Sequence, residues 1–328
     1  MRVLLVLLLW AGAVSLQAAD AVMPYPQEPP AGTEIVHPVD GAIMVWVPGG
    51  TFIMGMDQEE ADAAVKAVGL KDWEEAWAWE WFPRRTVYVP GYFIDKYEVT
   101  RGLWERYAAE RPVKPMKGIA KGPKEDTPGD FAAYPATTVF WAEAQQYANW
   151  AGKQLPSEEQ WEKAARGTDG RLYPWGAELP TPELGVFVDM QTKQISMIQP
   201  VGSHPQGASP YGCMDMAGNV YEWTRDWQEP YPNNPEYARM LQYMGHGAGS
   251  LRGGSFYHGP VYVCAKRFGF EPGESYYHVG FRTAWIPPQD YFTSRAYQDA
   301  RAQVPARQAE LEAEKARAKP IPRGWIGG

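Results

Sequence analysis

The side chains best suited to chemistry follow a pair of glycines, in the stretch RGGSFYH at residues 252–258. This stretch ends in His258, whose imidazole is a ligand type for copper, iron or zinc. A metal site needs about three or four converging ligands. The five histidines, at positions 37, 204, 246, 258 and 278, show no such spacing along the chain. Two interpretations of His258 remain open: a metal ligand whose partners the fold brings in, or a surface or hydrogen-bonded histidine.

Cys213 and Cys264 are the only cysteines. Two cysteines in 328 residues are too few for a disulfide framework. In an oxidising compartment they could form one disulfide, and the sequence leaves open whether they meet.

The N-terminus indicates export. Arg2 precedes an apolar run of about twelve residues, and the small residues Ala19 and Ala21 suit cleavage. The run is shorter than the roughly 20 residues that a membrane-spanning helix needs, and no later segment qualifies. We therefore expect a cleaved secretory signal, a periplasmic or secreted chain, and no integral membrane segment after signal removal.

Composition narrows the classes of partner and fold. The chain has a formal net charge of −8 and no basic block, so we expect no nucleic-acid partner. Its 33 glycines, 30 prolines and 15 tryptophans favour many turns and aromatic packing over long helical bundles.

The chain divides into four segments by composition. Residues 1–21 are the signal peptide, 22–41 a proline-rich extended lead-in, 42–287 one folded domain, and 288–328 a charged C-terminal arm. The arm has helix propensity, but Leu311 is almost its only apolar residue in the helical stretch. We expect a solvated helix or a disordered arm, whose terminal PRGWIGG could anchor a partner.

Short strands, two main helices and many turns are predicted for the folded domain. The β-rich runs on either side of Pro48-Gly49-Gly50 predict a hairpin. Apolar spacing predicts a helix from Phe140 to Gly152, and Ser157 with Gln160 forms a capping box for a second helix. The tryptophan-rich stretch at residues 59–85 predicts an insertion that packs aromatic side chains on the domain.

Seven short sequence motifs occur along the domain, in this order: MVWVPGGTFIMG, FIDKYEVT, NWAGKQLPSEEQWEKAARG, YPWG, DMAGNVYEWTRDW, RGGSF and HVGFR. Their order over residues 42–286 resembles that of sulfatase-modifying-factor domains, the family of the formylglycine-generating enzyme. The resemblance implies an α+β domain with the formylglycine-generating-enzyme fold, related to C-type lectins and low in regular secondary structure.

The same resemblance gives RGGSFYH a chemical meaning. In members that make formylglycine, a cysteine pair separated by four residues follows this phrase, binds copper and activates oxygen; soft thiolates suit Cu(I). Here His258 stands at the first cysteine, and Cys264, six residues on, resembles a structural cysteine of the following strand. The segment between Ser255 and Arg267 is also shorter than in those members. We therefore expect neither the cysteine–copper route nor a bound redox metal.

The pocket beside the missing pair is still expected. If the family pattern carries over, its lining or supporting side chains are Ser255, Tyr257, His258, Arg267 and Arg282.

The stretch DMAGNVYE at residues 215–222 resembles a calcium site of the family. The resemblance implies as ligands the Asp215 side chain, the backbone carbonyls of Gly218 and Val220, and the Glu222 carboxylate. Calcium takes roughly six to eight oxygens, and carboxylates with turn carbonyls supply both charge and ligand number. The open alternative is a tight Gly-Asn turn leading into a strand, with Glu222 exposed or in a salt bridge.

Three functions fit these observations. The first is an exported binding or accessory module that assists maturation of another exported protein or a small molecule. The second is an oxidoreductase of the same fold without the cysteine pair, as the resemblance to pyoverdine-maturation proteins allows. The third is formylglycine synthesis at a rearranged site. We favour the first, with structural calcium as cofactor, because the cysteine pair is missing and no convergent set of redox-metal ligands is evident.

Overall fold

A computed structural model describes residue 25 and residues 27–71, 78–111, 130–188, 197–243, 247–257 and 264–321. The signal-peptide prediction, His246, His258 and the terminal PRGWIGG fall outside these described residues. Among the helices of the described part, none has the length and apolar character required to cross a membrane.

The described residues contain ten strands and seven α-helices. The strands are β1 (Glu34–Val36), β2 (Ile43–Val47), β3 (Gly50–Met54), β4 (Arg85–Val89), β5 (Tyr92–Asp95), β6 (Tyr221–Trp227), β7 (Gly249–Arg252), β8 (Arg267–Phe270), β9 (Val279–Phe281) and β10 (Ala284–Trp285). The helices are α1 (Gln58–Ala67), α2 (Arg101–Glu110), α3 (Trp141–Trp150), α4 (Glu158–Arg166), α5 (Tyr237–Tyr243), α6 (Arg295–Ala302) and α7 (Val304–Arg317). The mixture is the α+β class that the sequence predicts.

The first sheet is antiparallel, with strand order β1-β2-β5-β10. All five residues of β2 are buried, because the strand has neighbours on both edges and side chains packed on both faces. β1 lies within the predicted lead-in and pairs with β2. The folded body therefore begins before residue 42.

The predicted hairpin around Pro48-Gly49-Gly50 is wrong. Both runs form strands, but β2 pairs with β1 and β5, whereas β3 pairs with β4 in a separate two-stranded sheet. The turn redirects the chain between two sheets, and Gly50 adopts a φ of +144° that L side chains rarely reach. The Lys163 ammonium fixes this turn by donating to the carbonyls of Pro48 (2.6 Å) and Gly50 (2.9 Å).

The second sheet has strand order β8-β7-β6-β9, with β6 and β9 parallel and the other pairs antiparallel. Side chains alternate across its plane, as in any strand. Trp223, Leu251 and Phe268 are register partners on one face. Glu222, Arg252 and Arg267 are register partners on the other face, which packs on α4.

The two predicted main helices are α3 and α4. At the start of α4, the Ser157 hydroxyl accepts from the Gln160 amide at 3.1 Å, and the Gln160 side chain accepts from the Ser157 amide at 2.9 Å. This reciprocal pair confirms the capping box. Gly152, with a φ of +70°, follows α3, where a left-handed residue stops a helix.

The described part of the tryptophan-rich insertion, residues 59–71 and 78–85, packs on the body, as the sequence predicts. Trp79, Trp81 and Phe82 are buried in one apolar cluster with Tyr173. The Asn234 amide donates to the carbonyls of Trp79 (2.9 Å) and Phe82 (2.8 Å). These bonds fasten the insertion to the loop after β6.

The C-terminal arm differs from the expected solvated helix or disordered segment. Its helices α6 and α7 both pack against β1, and α7 also contacts β2. Tyr297 and Leu311 are buried, with Leu311 only 3% exposed. Leu311 is the buried residue of α7, whereas its alanines at positions 306, 309, 313 and 316 are exposed, so the helix docks through a narrow apolar contact.

Candidate functional site

The RGGSFY stretch leaves β7 and is held over the turn at residues 215–220. The Gly218 amide donates to the Gly253 carbonyl at 2.9 Å, and the Phe256 amide donates to the Asn219 carbonyl at 2.9 Å. Gly253 has a φ of +88°, and a Cβ there would lie 3.2 Å from the Trp161 ring. Glycine is therefore required for this close approach.

Tyr257 is the side chain that this stretch presents to the outside. Ser255 and Phe256 are fully buried, whereas Tyr257 is 42% exposed. The Ser255 hydroxyl accepts from the Tyr257 amide at 3.4 Å, which fixes where the tyrosine leaves the body. The next residue, His258, falls outside the described part of the chain, so its two interpretations stay open.

Tyr257 belongs to a group of rings centred on His278, which we call the aromatic cluster. The ring centroids of the other members lie between 5.0 and 6.2 Å from the centroid of the His278 imidazole. The Tyr257 ring is nearly parallel to the imidazole, with 19° between their planes. The members of the cluster are His278, Tyr221, Tyr257, Phe270, Tyr276 and Tyr277.

The chemistry of this cluster suits stacking and hydrogen bonding. Burial raises the pKa of Tyr277, and the neighbouring Tyr257 raises it further. A hydrogen bond to Glu274 raises the pKa of Tyr276. These phenols are therefore neutral donors, and rings of this kind stack on aromatic or cationic groups.

The two arginines predicted to line or support the pocket are buried in ion pairs. Arg267 is buried and forms a two-pronged pair with the Glu158 carboxylate at 2.6 and 2.7 Å. Arg282 is fully buried and binds both oxygens of Glu222, at 2.6 and 2.7 Å. Of the predicted residues that are described, Tyr257 alone reaches the surface. Ser255 holds its backbone, whereas the two arginines belong to buried ion pairs.

Three buried carboxylates meet beneath the stretch: Glu98, Asp215 and Glu222. Burial and the charges of the other two raise the pKa of Glu98 well above its usual range. Burial also raises the pKa of Asp215, although its Oδ2 accepts from the Gly202 amide at 2.6 Å. Arg282 is the guanidinium that lowers the pKa of both groups, so acidic groups outnumber it.

The predicted calcium ligands are brought to one place but are not equally available. Asp215, Gly218 and Val220 lie in the turn, and the surplus of buried carboxylates suits a hard cation near Asp215. Glu222 already accepts from Arg282 and, at 2.7 Å, from the Trp161 indole, which is the salt-bridge alternative. Within the described residues, no group of three or more histidine, cysteine, aspartate or glutamate side chains is arranged to hold a metal. Calcium binding stays a prediction.

Both cysteines are buried in one apolar cluster and are not joined. Burial raises the pKa of the Cys213 thiol to about 11 and that of Cys264 to about 12. A thiolate is the form that binds copper or attacks a substrate. Neither side chain has the character of the missing copper-binding pair.

The sequence pointed to Tyr257 but not to the rings around it. Tyr276 and Tyr277 stand beside His278 in the chain, and this aromatic density was a usable signal. Glu98 was also missed, because nothing in FIDKYEVT shows that its carboxylate meets Asp215 and Asn219 in the fold.

Comparison with known proteins places these features in a family. A family model described as the sulfatase-modifying factor enzyme 1-like domain matches residues 34–286. The formylglycine-generating enzyme of Thermomonospora curvata is 30% identical over 298 residues, covering 74% of this chain and 93% of that protein. The hercynine oxygenase of Mycobacterium tuberculosis is 31% identical over 239 residues, covering 62% of this chain and 54% of that protein. The chain spans about half the length or less of several other curated relatives that it matches.

Solved structures show the same fold. PvdO from Pseudomonas aeruginosa superposes with a TM-score of 0.60 at 24% identity, covering 79% of this chain and all of that one. The residues that the family model matches include β1 through β10, the turn at residues 215–220 and the aromatic cluster. The chain belongs to the sulfatase-modifying factor enzyme 1-like domain family, with the α+β fold of the formylglycine-generating enzyme.

Proposed function

We propose that this chain is an exported binding module whose aromatic cluster receives a peptide or small ligand during maturation of another exported protein or a small molecule. The observation that carries this proposal is Tyr257, 42% exposed and stacked on the buried His278 at the end of the RGGSFY stretch. Exposed rings fixed by buried neighbours bind ligands at little entropic cost, because their rotamers are already set.

The chemistry of the thiols supports a binding role over the cysteine–copper reaction. A copper pair needs two adjacent thiolates, whereas Cys213 and Cys264 are the only cysteines and lie in the apolar core. Burial holds their pKa values far above neutral, so both remain thiols.

An oxidoreductase is the second candidate. The observation that favours it is the sequence similarity to a formylglycine-generating enzyme and to a hercynine oxygenase, the second of which is named as an oxygenase. For this chain, His258 would be the first ligand to test.

Elemental mass spectrometry separates the two candidates. The protein is purified without chelator, and its metal content is compared with that of His258→Ala. We expect no stoichiometric copper or iron in either sample. Stoichiometric copper or iron in the parent protein that is lost in His258→Ala would replace the binding module with the oxidoreductase.

A second experiment tests the site itself. Parent protein and Tyr257→Ala are immobilised, and the material retained from the periplasm is compared quantitatively. Tyr88→Ala is the matched control, because this tyrosine is 57% exposed on β4 and lies outside the cluster. We expect a component retained by the parent and by Tyr88→Ala to be lost in Tyr257→Ala; equal retention by all three would remove the cluster as the site.

A further inference from the structure

The rim of the aromatic cluster is acidic. The stretch from 268 to 281 carries four members of the cluster, and its charged residues are Glu271 and Glu274, with no lysine or arginine. Both glutamates are exposed. Glu274 accepts a hydrogen bond from the Tyr276 hydroxyl, which holds its carboxylate at the edge of the rings. Among the described residues, neither glutamate is part of an ion pair.

A tyrosine ring and a carboxylate surround a cation elsewhere in this protein, at Tyr231. The guanidinium carbon of Arg267 lies 4.2 Å from the centroid of the Tyr231 ring. The same guanidinium binds the Glu158 carboxylate at 2.6 Å. A second guanidinium, that of Arg85, has its carbon 4.4 Å from the Tyr231 centroid. The face of a ring and a carboxylate both attract a cation, so together they form a favourable site for one.

The aromatic cluster has the rings and the carboxylate, but its own chain supplies no cation in the described part. The lysines and arginines of the described residues that lie over rings do so at other rings, among them Tyr231, Trp161 and Tyr297. None of them lies over Tyr276 or Tyr277. The charge at this rim is therefore complementary to a cation that a ligand brings.

Tyr257 offers a second contact to the same ligand. Its ring is 42% exposed. The centroids of the Tyr257 and Tyr276 rings both lie within 6.0 Å of the His278 imidazole centroid, so the two rings are at most two such distances apart. Extended residues rise about 3.3–3.6 Å each, so two neighbouring residues with long side chains can reach both Tyr257 and the carboxylate beside Tyr276.

We infer that the ligand of the aromatic cluster is a cationic peptide segment, in which an arginine or lysine pairs with Glu274 and a neighbouring aromatic side chain lies on Tyr257. This inference rests on the proposed function, because it names the chemical class that the same surface receives. Arginine suits the site better than lysine, because its guanidinium is planar, stacks on rings and binds a carboxylate through two donors.

Four capped dipeptides that differ in one side chain test the inference on the full chain. The probes are acetyl-Trp-Arg-amide and its analogues with lysine, glutamine or glutamate in place of arginine, and isothermal titration calorimetry at low salt measures their affinities. We expect the arginine peptide to bind at least about fivefold tighter than the glutamine peptide, and the glutamate peptide to bind most weakly. The preference should shrink as salt is raised.

Two glutamate variants assign the preference to the rim. Glu274→Gln keeps the size of the side chain and removes its charge, so the preference for arginine over glutamine should fall below about twofold. Glu59→Gln, which alters an exposed glutamate on α1, is the matched control and should keep the parent preference. Tyr257→Ala should weaken all four peptides and leave their order unchanged.

Three results would overturn the inference: equal affinity of the parent for the arginine and glutamine peptides, an unaltered preference in Glu274→Gln, or no binding of any probe. Each is distinct from failure of the proposed function. If Tyr257→Ala loses its periplasmic component while the parent does not distinguish arginine from glutamine, the proposed function stands and the inference is wrong. If the preference depends on Glu274 while Tyr257→Ala retains everything that the parent retains, the cation site stands and the proposed function fails.

Discussion

The second sheet presents two faces with opposite chemistry, although both are largely buried. One face, which we call the charged face, carries Glu222, Arg252 and Arg267 in a row across three strands. The opposite face, the aromatic face, carries Trp223, Leu251 and Phe268 in the matching row. The charged face packs on α4, and the aromatic face packs on rings that include those of α2 and α3.

The two faces differ in how completely they are closed. Along the charged face, Glu158 binds Arg267, and Glu162 binds Arg252 and Arg166, all of them buried. Buried ions need such partners, because an unpaired one loses its hydration without compensation. The aromatic face instead continues outward through Phe270 and Tyr276 to the exposed part of the aromatic cluster. The charged face therefore holds the sheet in place, and the aromatic face supplies the surface that a ligand can reach.

Breaking the charged face should have the largest effect. Glu222→Gln removes the charge opposite Arg282 and leaves that guanidinium buried. Removal of one partner of a buried pair costs about 3–5 kcal/mol, so we expect a loss of that size in the free energy of unfolding, measured by urea denaturation.

The matched variant replaces both partners. Glu222→Gln combined with Arg282→Met should recover part of the loss, because the unpaired guanidinium is gone, while Glu98 and Asp215 lose the cation that lowers their pKa values. A single Glu222→Gln substitution with no measurable cost would show that the charged face is not held by this pair.

The free energy of unfolding should depend on pH through Glu80, a buried carboxyl group near the charged face. Glu80 accepts from Gln228 at 2.9 Å, and burial raises its pKa from 4.5 to about 7 even though Lys266 and Arg267 oppose the shift. Because the folded-state pKa lies above the unfolded one, its contribution is fully present below pH ~4.5 and lost as pH rises through ~7. The loss amounts to about 3 kcal/mol.

Urea denaturation at a series of pH values checks this. Glu80→Gln should reduce the loss between pH ~4.5 and ~7.5 by about 3 kcal/mol and make the protein more stable than the parent at pH 8. Glu59→Gln, on the exposed side of α1, should leave the parent profile unchanged. An unaltered profile in Glu80→Gln would assign the pH dependence to other groups.

Bound calcium would add a cation beside the charged face and so increase the difference between the two faces. If calcium binds at Asp215, the folded state gains about 2.7 kcal/mol when calcium is present at a hundred times its dissociation constant. Thermal unfolding with calcium and with chelator should then differ for the parent protein and agree for Asp215→Ala. If the parent protein unfolds at the same temperature with calcium and with chelator, the calcium prediction is wrong. The turn and the Glu222–Arg282 pair then stabilise this region without a cation.

The alternation of these faces was visible in the sequence, but their partners were not. VYEWTRDW alternates apolar and polar residues, as a strand with two different faces does. The ion pairs, however, join residues far apart: Glu222 and Arg282 are 60 residues apart, and Glu158 and Arg267 are 109 apart. No local sequence pattern identifies such pairs. The sequence therefore predicted Arg282 as a pocket residue and not as the partner of Glu222.

Local signals succeeded where the interaction was local. The Ser157 and Gln160 capping box spans three residues and was confirmed atom by atom. The hairpin failed because pairing depends on which strands compete, and β2 found two other neighbours. The prediction of a solvated or disordered arm failed because the burial of Leu311 depends on the docking of α7 against the body, which the sequence of the arm does not reveal.

The smallest effect on stability should come from opening the aromatic face at its edge. Tyr257 is 42% exposed, so Tyr257→Ala should cost about 1 kcal/mol or less in urea denaturation, comparable to Tyr88→Ala. The rings beneath it, among them Tyr221 and the imidazole of His278, keep most of their contacts. Ligand retention should nevertheless fall, because the exposed ring is the part that a ligand meets. A cost as large as that of Glu222→Gln would mean that Tyr257 closes the core, and the aromatic face would then be structural like the charged one.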